Sequence, residues 1–588
     1  MRERVDLKSP VRENRPPGSV RGAPGNRRPY RDIETRPNRT PRHRRSFLRR
    51  VNTLLALVFS TVAVGAQILP PPPARPDKAN TLPIDTRLLV RGFHFEGNKA
   101  YSQAELAKVT EPFTNRELGS EDVEQARRTV TLHYVQHGYI NSGAVIPDQN
   151  PANGIITIRI VEGALTGIEL HGNKWLQDRY ITSRVRRWSE PPLNMNKLQE
   201  GLQLLRQNRN VRQVNAELKP GTVPGESLLD LRVEDQQPFR LGLQIDNQRP
   251  PSVGAEEIWA LASDLNLTGH NDPLELKYGI ANSRGRGMDF SGADNMEASY
   301  LLPLTRYDTT IGFHGSRLNT GLVEEPFTTL DINSLTRSYG IVLRQPVYRT
   351  ANQEAAVSFG FDYRQNQTSL LGEPFNISPG SDGGEMVVSV FRPSQEWLLR
   401  GQDHVVALRS TFNVGLDVLG ATDNGIAGDP NAKFFSWLGQ GQYVQRLFNT
   451  QNQLVLRASG QWSSKSLLAL EQMSVGGFDS VRGYRENQLV RDRGIFCSVE
   501  FRLPVIFDKS GAGIVHLAPF FDFGGGWDEH GSPSPTTIYS TGVGLLLAPS
   551  RHFNAQLYWG HRLRHVNTPA DKDPQDLGLH FKINIHAF

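Results

Sequence analysis

The most distinctive chemistry in this sequence belongs to an arginine in a short polar segment near the end of the chain. The segment SVRGYREN, Ser480 to Asn487, places Arg482 between stretches that alternate apolar and polar residues. A guanidinium group is planar, permanently charged and able to hold a carboxylate by two parallel hydrogen bonds. In a soluble sheet the segment would be an ordinary charged hairpin tip. The rest of the sequence favours a role other than a hairpin tip.

The chain carries none of the common catalytic or phosphate-binding motifs. The patterns G-x-x-x-x-G-K-[ST], G-x-S-x-G and H-E-x-x-H are absent. The glycine run Gly524 to Gly526 follows an aspartate on a predicted strand, and we interpret it as strand-end glycines. His561 and His565 are four residues apart in a strand-like segment, where this spacing does not predict a metal site. We therefore expect no catalysis, no cofactor and no metal.

The amino-terminal region is predicted to direct export. Residues 1–50 hold 16 Lys and Arg against 5 Asp and Glu, and the apolar run Leu54 to Val64 follows shortly after. That run has the length of a signal-peptide core and is too short for a spanning helix, which needs about 20 residues. We interpret residues 1–66 as an extended signal peptide, cleaved after Ala66. Residues 67–87 form an expected proline-rich linker.

Charge and cysteine content narrow the class of protein further. The formal net charge is +6, but the first 50 residues carry a surplus of 11 positive charges, so the remainder is mildly acidic. Because no basic stripe remains, nucleic acid is not an expected partner. Cys497 is the single cysteine, which excludes an internal disulfide. An exported chain of this length must then rely on packing or on a closed sheet.

Two segments of the chain repeat one pattern at an offset of 75 residues. An alternating strand ends at Gly97-Asn98-Lys99 in the first copy and at Gly172-Asn173-Lys174 in the second. Helical periodicity follows in both, and Ser120 is expected to cap a helix of the first copy. Each copy closes with an alternating strand, ITIRIVEG or LLDLRVED. The pattern predicts two βααββ modules, residues 88–163 and 164–235.

From residue 236 onward the pattern changes to strands. Alternating segments such as FRLGLQID, VSFGFDY, QLVLRASGQW and VGLLL recur between Gly- and Asn-rich loops. One apolar and one polar face is what a lipid-exposed barrel with an aqueous lumen requires. Residues 236–588 can supply roughly 16 to 18 strands, and we predict a transmembrane antiparallel β-barrel of 16. A large soluble sandwich or propeller would not explain the aromatic residues that end the apolar faces.

These features together resemble the two-partner secretion transporters, the family of the hemolysin-activator and filamentous-haemagglutinin outer-membrane transporters. The resemblance covers about residues 88–588, and the modules correspond to the polypeptide-transport-associated (POTRA) domains of that family. Residues 470–490, with the core Val481-Arg482-Gly483-Tyr484, match its signature loop. Gly494-Ile495-Phe496 and Phe520-Phe521-Asp522 match the G-x-F and F-x-D motifs of the two strands after the loop.

The resemblance implies a role for each matched residue. The loop would fold back into the barrel, where Arg482 would form an ion pair with a single carboxylate, Asp522. Gly483 would permit a tight turn and Tyr484 would pack on the wall. Phe496 and Phe520 would face inward, the alternative being an ordinary lipid-facing position. Removing one partner of a partly desolvated ion pair costs about 3–5 kcal/mol.

The resemblance also implies a location and a function. The protein would be a monomer in the outer membrane of a Gram-negative bacterium, in contact with lipid, inserted by the barrel-assembly machinery, with its POTRA domains in the periplasm. These domains would bind an unfolded secreted partner protein through a sheet edge. The partner would then cross the lumen without ATP. The alternatives are an outer-membrane insertion factor of the same superfamily and a passive porin.

Two features depart from the family pattern. Residues 67–87 are short and broken by proline, so we do not expect a plug helix before the first module. The terminal apolar series falls on odd positions from Leu577 to Ile585, which leaves Phe588 out of phase. A final bulge or a frayed end would account for the second departure.

Overall fold

The structure is a computed structural model, which describes residues 87–587 except 152, 284–286, 289–292, 325–329, 424–428, 449, 570 and 571. The signal peptide, its cleavage position, nearly all of the linker and Phe588 therefore lie outside the described residues. The described part comprises two small α/β units and a closed β-barrel. None of the helices within it combines the length and the apolarity that crossing a membrane would take.

The first unit is built on a three-stranded sheet. Its elements are β1 (Leu88–Val90), β2 (Gly92–Glu96), α1 (Gln103–Thr110), β3 (Arg116–Leu118), α2 (Ser120–Gln136), β4 (Gly143–Val145) and β5 (Ile155–Val161). Strand β5 is central, parallel to β2 and antiparallel to β4. Its alternating Ile156, Ile158 and Ile160 pack against Val130 and Tyr134 of α2. Strands β1 and β3 form a separate pair, so this unit has one strand pair more than the expected βααββ order.

Helix α2 is capped by a different residue from the one expected. Gly119 is the N-cap, and Ser120 is the first helical residue, so the prediction for Ser120 was wrong by one position. The carboxylate of Asp122 accepts the Gly119 N–H at 3.0 Å. This bond from the third helical position stabilises the helix start without a hydroxyl cap.

The second unit has the βααββ order. It consists of β6 (Ala164–His171), α3 (Asp178–Trp188), α4 (Met195–Arg206), β7 (Val211–Pro220) and β8 (Glu226–Asp235). The repeated turns match in detail, because Gly97 and Gly172 have φ of +81° and +93°, a region that favours glycine. Glu162 or Asp235, at the end of each unit, accepts backbone N–H groups of the turn. The sequence repeat is thus also a repeat of hydrogen bonds.

Within the described residues, sixteen antiparallel strands close the barrel, which confirms the predicted fold class. They are β9 (Phe239–Asp246), β10 (Glu257–Asp264), β11 (Leu274–Ser283), β13 (Asp294–Pro303), β14 (Thr310–Gly321), β15 (Ile332–Arg349), β16 (Gln353–Leu370), β18 (Glu385–Arg400), β19 (His404–Leu416), β20 (Phe435–Arg446), β21 (Gln453–Ser463), β24 (Arg493–Phe507), β25 (Gly513–Trp527), β26 (Thr537–Ser550), β27 (Phe553–Arg562) and β28 (Leu579–His586). Short strands β12 (Gly287–Met288) and β17 (Glu373–Pro374) extend two hairpins, and β28 pairs with β9.

The two faces of the barrel strands differ as the alternation predicts. On β16, Phe359 is exposed on the outer surface, whereas Ser358 and Asp362 are buried on the inner side. An apolar outer face and a polar inner face suit lipid outside and water inside. At the carboxyl end, Leu577 belongs to a short 3-10 helix before β28, so the strand itself contains only the later members of the series up to Ile585.

Candidate functional site

The segment between β21 and β24 folds back into the barrel. It comprises residues 464–492, here called the lumen loop, and contains the small hairpin β22 (Met473–Val475) and β23 (Leu489–Arg491). Its first half packs Leu468 against Val388 of β18. Its second half packs Val481 against Ile538 of β26. Apolar side chains of the loop therefore cover part of the inner wall on two sides.

Arg482 lies at the centre of a fully buried polar cluster. Its Nε and Nη2 donate to Oδ2 and Oδ1 of Asp522, both at 2.8 Å, so the pair is bidentate. The backbone N–H of Arg482 also donates to Asp522 Oδ2, at 3.0 Å. Nη2 donates to Ser498 Oγ at 3.0 Å, and Nη1 donates to Glu500. We call Arg482, Asp522, Glu500 and Ser498 the tip cluster.

The expectation of a single carboxylate was incomplete. Glu500 on β24 is as deeply buried as Asp522 on β25. Arg502 balances the second acid, since its Nε donates to Glu500 Oε1 at 2.7 Å. The Tyr558 hydroxyl donates to Glu500 Oε2 at 3.2 Å. Glu500 and Phe496 are four residues apart on β24, so their side chains point to the same side of the strand. The alternation of β24 was therefore sufficient to predict an inward-facing acid at Glu500.

Two aromatic rings enclose the Arg482 guanidinium. Its Cζ lies 3.6 Å from the centroid of the Phe520 ring and 4.6 Å from that of Tyr558. Such contacts add to ion pairing because the ring face is electron-rich. The structure places Phe520 on the inner face, and Phe496 packs inward against the cluster that contains Val481. Neither Phe496 nor Phe520 faces lipid, which was the alternative position.

Glycines bring the loop backbone directly onto the wall. Gly483 has a φ of +92° and donates its N–H to His580 Nε2 at 3.1 Å. A Cβ on Gly560 of β27 would lie 2.7 Å from the Gly483 nitrogen. A Cβ on Gly494 would lie 3.0 Å from the sulfur of Met473, within the loop hairpin. No motif in the sequence marked Gly560 or His580.

Tyr484 is buried next to the glycine contact. Its hydroxyl oxygen lies 3.0 Å and 2.9 Å from the carbonyl oxygens of Tyr539 and Arg564. The same oxygen accepts the backbone N–H of Arg564 at 3.2 Å. Tyr484 therefore links the loop to β26 and to the segment that follows β27, beyond the packing role that the resemblance implies.

The base of the lumen loop is held by the opposite charge. Glu471 is buried, and its Oε1 accepts Nη2 of Arg392 at 2.7 Å and lies 3.4 Å from Nη1 of Arg364. Arg392 also donates to Asp362 at 2.5 Å, and Arg364 donates to the Leu470 carbonyl at 3.1 Å. We call Glu471, Arg364, Arg392 and Asp362 the base cluster. It joins the loop to β16 and β18.

A third set of polar contacts, around Arg485, joins the loop to segments that connect barrel strands. Arg485 forms a bidentate pair with Asp576, with both distances 2.7 Å, in the segment between β27 and β28. It also donates to Glu324, after β14, at 2.6 Å. The Glu486 backbone N–H donates to the side chain of Gln575 at 2.8 Å. The loop thus contacts the segments that connect strands at the end of the barrel away from the modules.

The histidines and glycines that were singled out in the sequence lie on or next to barrel strands. Among the residues that the structure describes, no group of three or more His, Cys, Asp or Glu side chains is arranged to hold a metal. His561 lies in β27 and His565 follows it, so strand geometry separates them. Gly524 to Gly526 are part of β25, where a Cβ on Gly524 would meet Val475 and Val481 of the loop. Gly524 and Gly526 make room for the loop, whereas a Cβ on Gly525 would meet Trp527.

A barrel with two preceding POTRA-like units and an inserted loop defines an outer-membrane transporter. Residues 225–547 match the family described as haemolysin secretion/activation protein ShlB/FhaC/HecB, and residues 88–163 match the POTRA domain of ShlB type. The chain belongs to the ShlB/FhaC/HecB family. It is an outer-membrane transporter of two-partner secretion, which secretes a partner protein, and its POTRA region lies in the periplasm. These matches confirm the family and location that the sequence predicts.

Named relatives span most of the chain. The outer membrane transporter CdiB of Dickeya dadantii (strain 3937) is 25% identical over 528 residues, which cover 87% of this chain and 88% of the relative. The hemolysin transporter protein ShlB of Serratia marcescens is 24% identical over 431 residues, 72% of each chain. The solved structure of CdiB from Escherichia coli superimposes with a TM-score of 0.68 at 21% identity, covering 87% of this chain and 93% of that one.

Proposed function

We propose that this transporter receives its partner in unfolded form, with the POTRA modules as the receptor and the barrel lumen as the route. The main support for the proposal is the tip cluster, in which a buried bidentate ion pair holds the loop inside the lumen. Such a pair is costly to desolvate and is disrupted strongly when one partner is lost. A loop held at this cost implies that its position is needed for transport.

The docked loop has a defined part in this proposal. Anchored at both its base and its tip, the loop narrows the lumen, and the partner passes through the part of the lumen that the loop leaves free. An extended chain needs far less room than a folded domain, so the partner crosses without its own fold. No ATP-binding motif occurs in the sequence, and folding outside the cell gives the passage its direction. The protein has no enzymatic role in this proposal.

The sheet edges of the two modules differ as receptors. In the first module the Gln103 side chain occupies the β2 edge, because its Oε1 accepts the Phe95 N–H at 3.1 Å and its Nε2 donates to the Phe95 carbonyl. In the second module β6 is an end strand with β8 as its only sheet neighbour among the described strands. An added strand gains backbone hydrogen bonds at such an edge. We therefore propose that an added strand of the partner pairs with β6, and that the first module, whose β2 edge is covered by Gln103, takes part in the receptor through other surfaces.

The proposal extends to the surroundings of the barrel. The apolar outer face contacts outer-membrane lipid, the chain works as a monomer, and the barrel-assembly machinery inserts it. The closure of the lumen by one chain, through the pairing of β28 with β9, supports a transporter that works as a monomer. The insertion-factor and porin alternatives predict no dependence of one exported protein on this chain.

Finding a large exported protein encoded beside this chain, and expressing the two together, tests the proposal. The partner should appear outside the cell only when both proteins are made. Deletion of residues 88–163 should block export while the barrel still conducts ions in planar bilayers. Export that is unaffected by the deletion would show that the first module is not part of the receptor.

A further inference from the structure

Two histidines on α2 of the first module lie one helical turn apart. The ring centroids of His133 and His137 are 4.4 Å apart, with 49° between the ring planes. Histidines at positions i and i+4 of a helix can bind one metal ion from the same face. Two imidazole nitrogens bound at about 2.1 Å and about 90° to each other would place the ring centres about 4.5 Å apart. The observed spacing therefore already suits a shared ion.

A hydrogen bond determines which nitrogen of His137 is available. Its Nδ1 lies 2.7 Å from the His133 carbonyl oxygen, so Nδ1 carries the hydrogen and Nε2 keeps its lone pair. A histidine that binds a metal usually donates its other ring N–H to a carbonyl or carboxylate in this way. His137 is exposed, so the Nε2 atom can be reached from solvent.

His133 is partly buried and lies on the same face of α2 as His137. The Tyr101 ring packs against both histidines, with centroid distances of 4.7 Å and 5.9 Å. Tyr101 therefore restricts the rotamers of the pair.

The pair also stands at the contact between the two modules. The His137 carbonyl accepts a hydrogen bond from Asn194 Nδ2 at 3.0 Å, and the Gly138 carbonyl accepts the Met195 N–H at 2.8 Å. An ion bridging the two rings would hold the last turn of α2. It would therefore also hold the carbonyl groups that receive the second module.

We propose that His133 and His137 form a binding site for one divalent transition-metal ion, with water completing the coordination. The described residues contain no group of three protein ligands, so the pair supplies two nitrogens only. Ions that accept neighbouring ligands at about 90° fit better than tetrahedral zinc, and copper(II) binds such nitrogens more tightly than nickel(II). Copper(II) is therefore the preferred probe.

Titration of the purified full chain in detergent with copper(II) tests this site. Calorimetry should detect one ion that is lost from the His133→Gln, His137→Gln double variant, and each single variant should weaken its binding at least about tenfold. Electron paramagnetic resonance of the wild-type complex should show two coupled nitrogens. A wild-type spectrum with no histidine nitrogen would overturn the proposal whatever the variants do.

The matched control is the other pair of histidines with the same spacing. His561 and His565 lie in and after a strand, where four residues extend about 13 Å. Their double Gln variant should bind copper(II) as the wild type does. If instead the α2 double variant melts at the wild-type temperature and keeps the same stoichiometry and affinity, the site does not exist.

Discussion

The tip and the base of the lumen loop are fixed to the wall by opposite charges. At the tip the loop supplies a cation, Arg482, to acids on β24 and β25. At the base it supplies an anion, Glu471, to arginines on β16 and β18. Three strands, β19, β20 and β21, separate the two parts of the wall. The loop therefore bridges the lumen and is fixed at both ends.

The two clusters also differ in the charges that remain buried in the wall when the charged residue of the loop is removed. Without Arg482 the tip wall keeps two buried carboxylates next to each other, and Asp522 loses its bidentate partner, whereas Arg502 still donates to Glu500. Without Glu471 the base wall keeps Asp362 as a partner for Arg392. Buried charge without a partner is the larger cost. We therefore infer that the tip contributes more to holding the loop than the base.

The largest effect is expected for Arg482→Ala. Loss of the cation should cost about 3–5 kcal/mol of loop docking and abolish or sharply reduce export of the partner, whereas the barrel still inserts. Arg482→Lys should recover only part of the export, because an ammonium group cannot make the bidentate pair. Secretion of the partner measures export, and the heat-modifiable gel shift measures insertion of the folded barrel. Arg551→Ala, in an exposed turn, is the control and should export normally.

A smaller effect is expected for Glu471→Gln. The amide still fills the space but no longer neutralises Arg364 and Arg392, so loop docking should weaken by about 1–3 kcal/mol and export should fall several-fold. Glu373→Gln, on the exposed short strand β17, is the control. A loss as complete as that of Arg482→Ala would contradict the ranking of the two clusters.

The Gly560→Ala variant tests the contact between loop and wall without changing charge. The new Cβ would lie 2.7 Å from the Gly483 nitrogen and 2.8 Å from its Cα, so the loop backbone must move. We expect export to decrease and the thermal stability of the barrel to fall by about 1–3 kcal/mol, the usual cost of overpacking. In Gly460→Ala the nearest atom is 3.7 Å away, so that variant should behave as wild type. Equal behaviour of both variants would argue against close docking.

The smallest effect is expected for Phe520→Leu. It removes the ring at 3.6 Å from the guanidinium but leaves every ion pair, at a cost of about 0.5–2 kcal/mol. Export should decline slightly, and the accompanying loss of thermal stability of the barrel should vanish in an Arg482→Ala background because the two residues act on each other. Phe523→Leu, on the outer face of the same strand, is the control. A Phe520 effect that is independent of Arg482 would assign this ring a different role.

Alternation and motifs were sufficient for much of this architecture. The strands and the repeated modules follow from local sequence, because a period of two and a glycine turn are visible there. The pairing of Arg482 with Asp522 was instead implied by the resemblance to the transporter family. The same alternation was sufficient to predict that Glu500 faces inward. The partners of Glu471 could not be predicted in this way. Arg364 and Arg392 lie far from Glu471 in the chain, and their pairing depends on the curvature of the barrel, which no local pattern indicates.

Labelling of a cysteine next to Arg482 tests the central claim most directly. Ser480 is buried in the docked loop, and Cys497 can be replaced by serine to remove the native thiol. In whole cells a Ser480→Cys chain should resist a membrane-impermeant maleimide, and the same chain with Arg482→Ala should react rapidly and fail to export the partner. Equal labelling of the two chains, with normal export by both, would contradict a loop held in the lumen by Arg482.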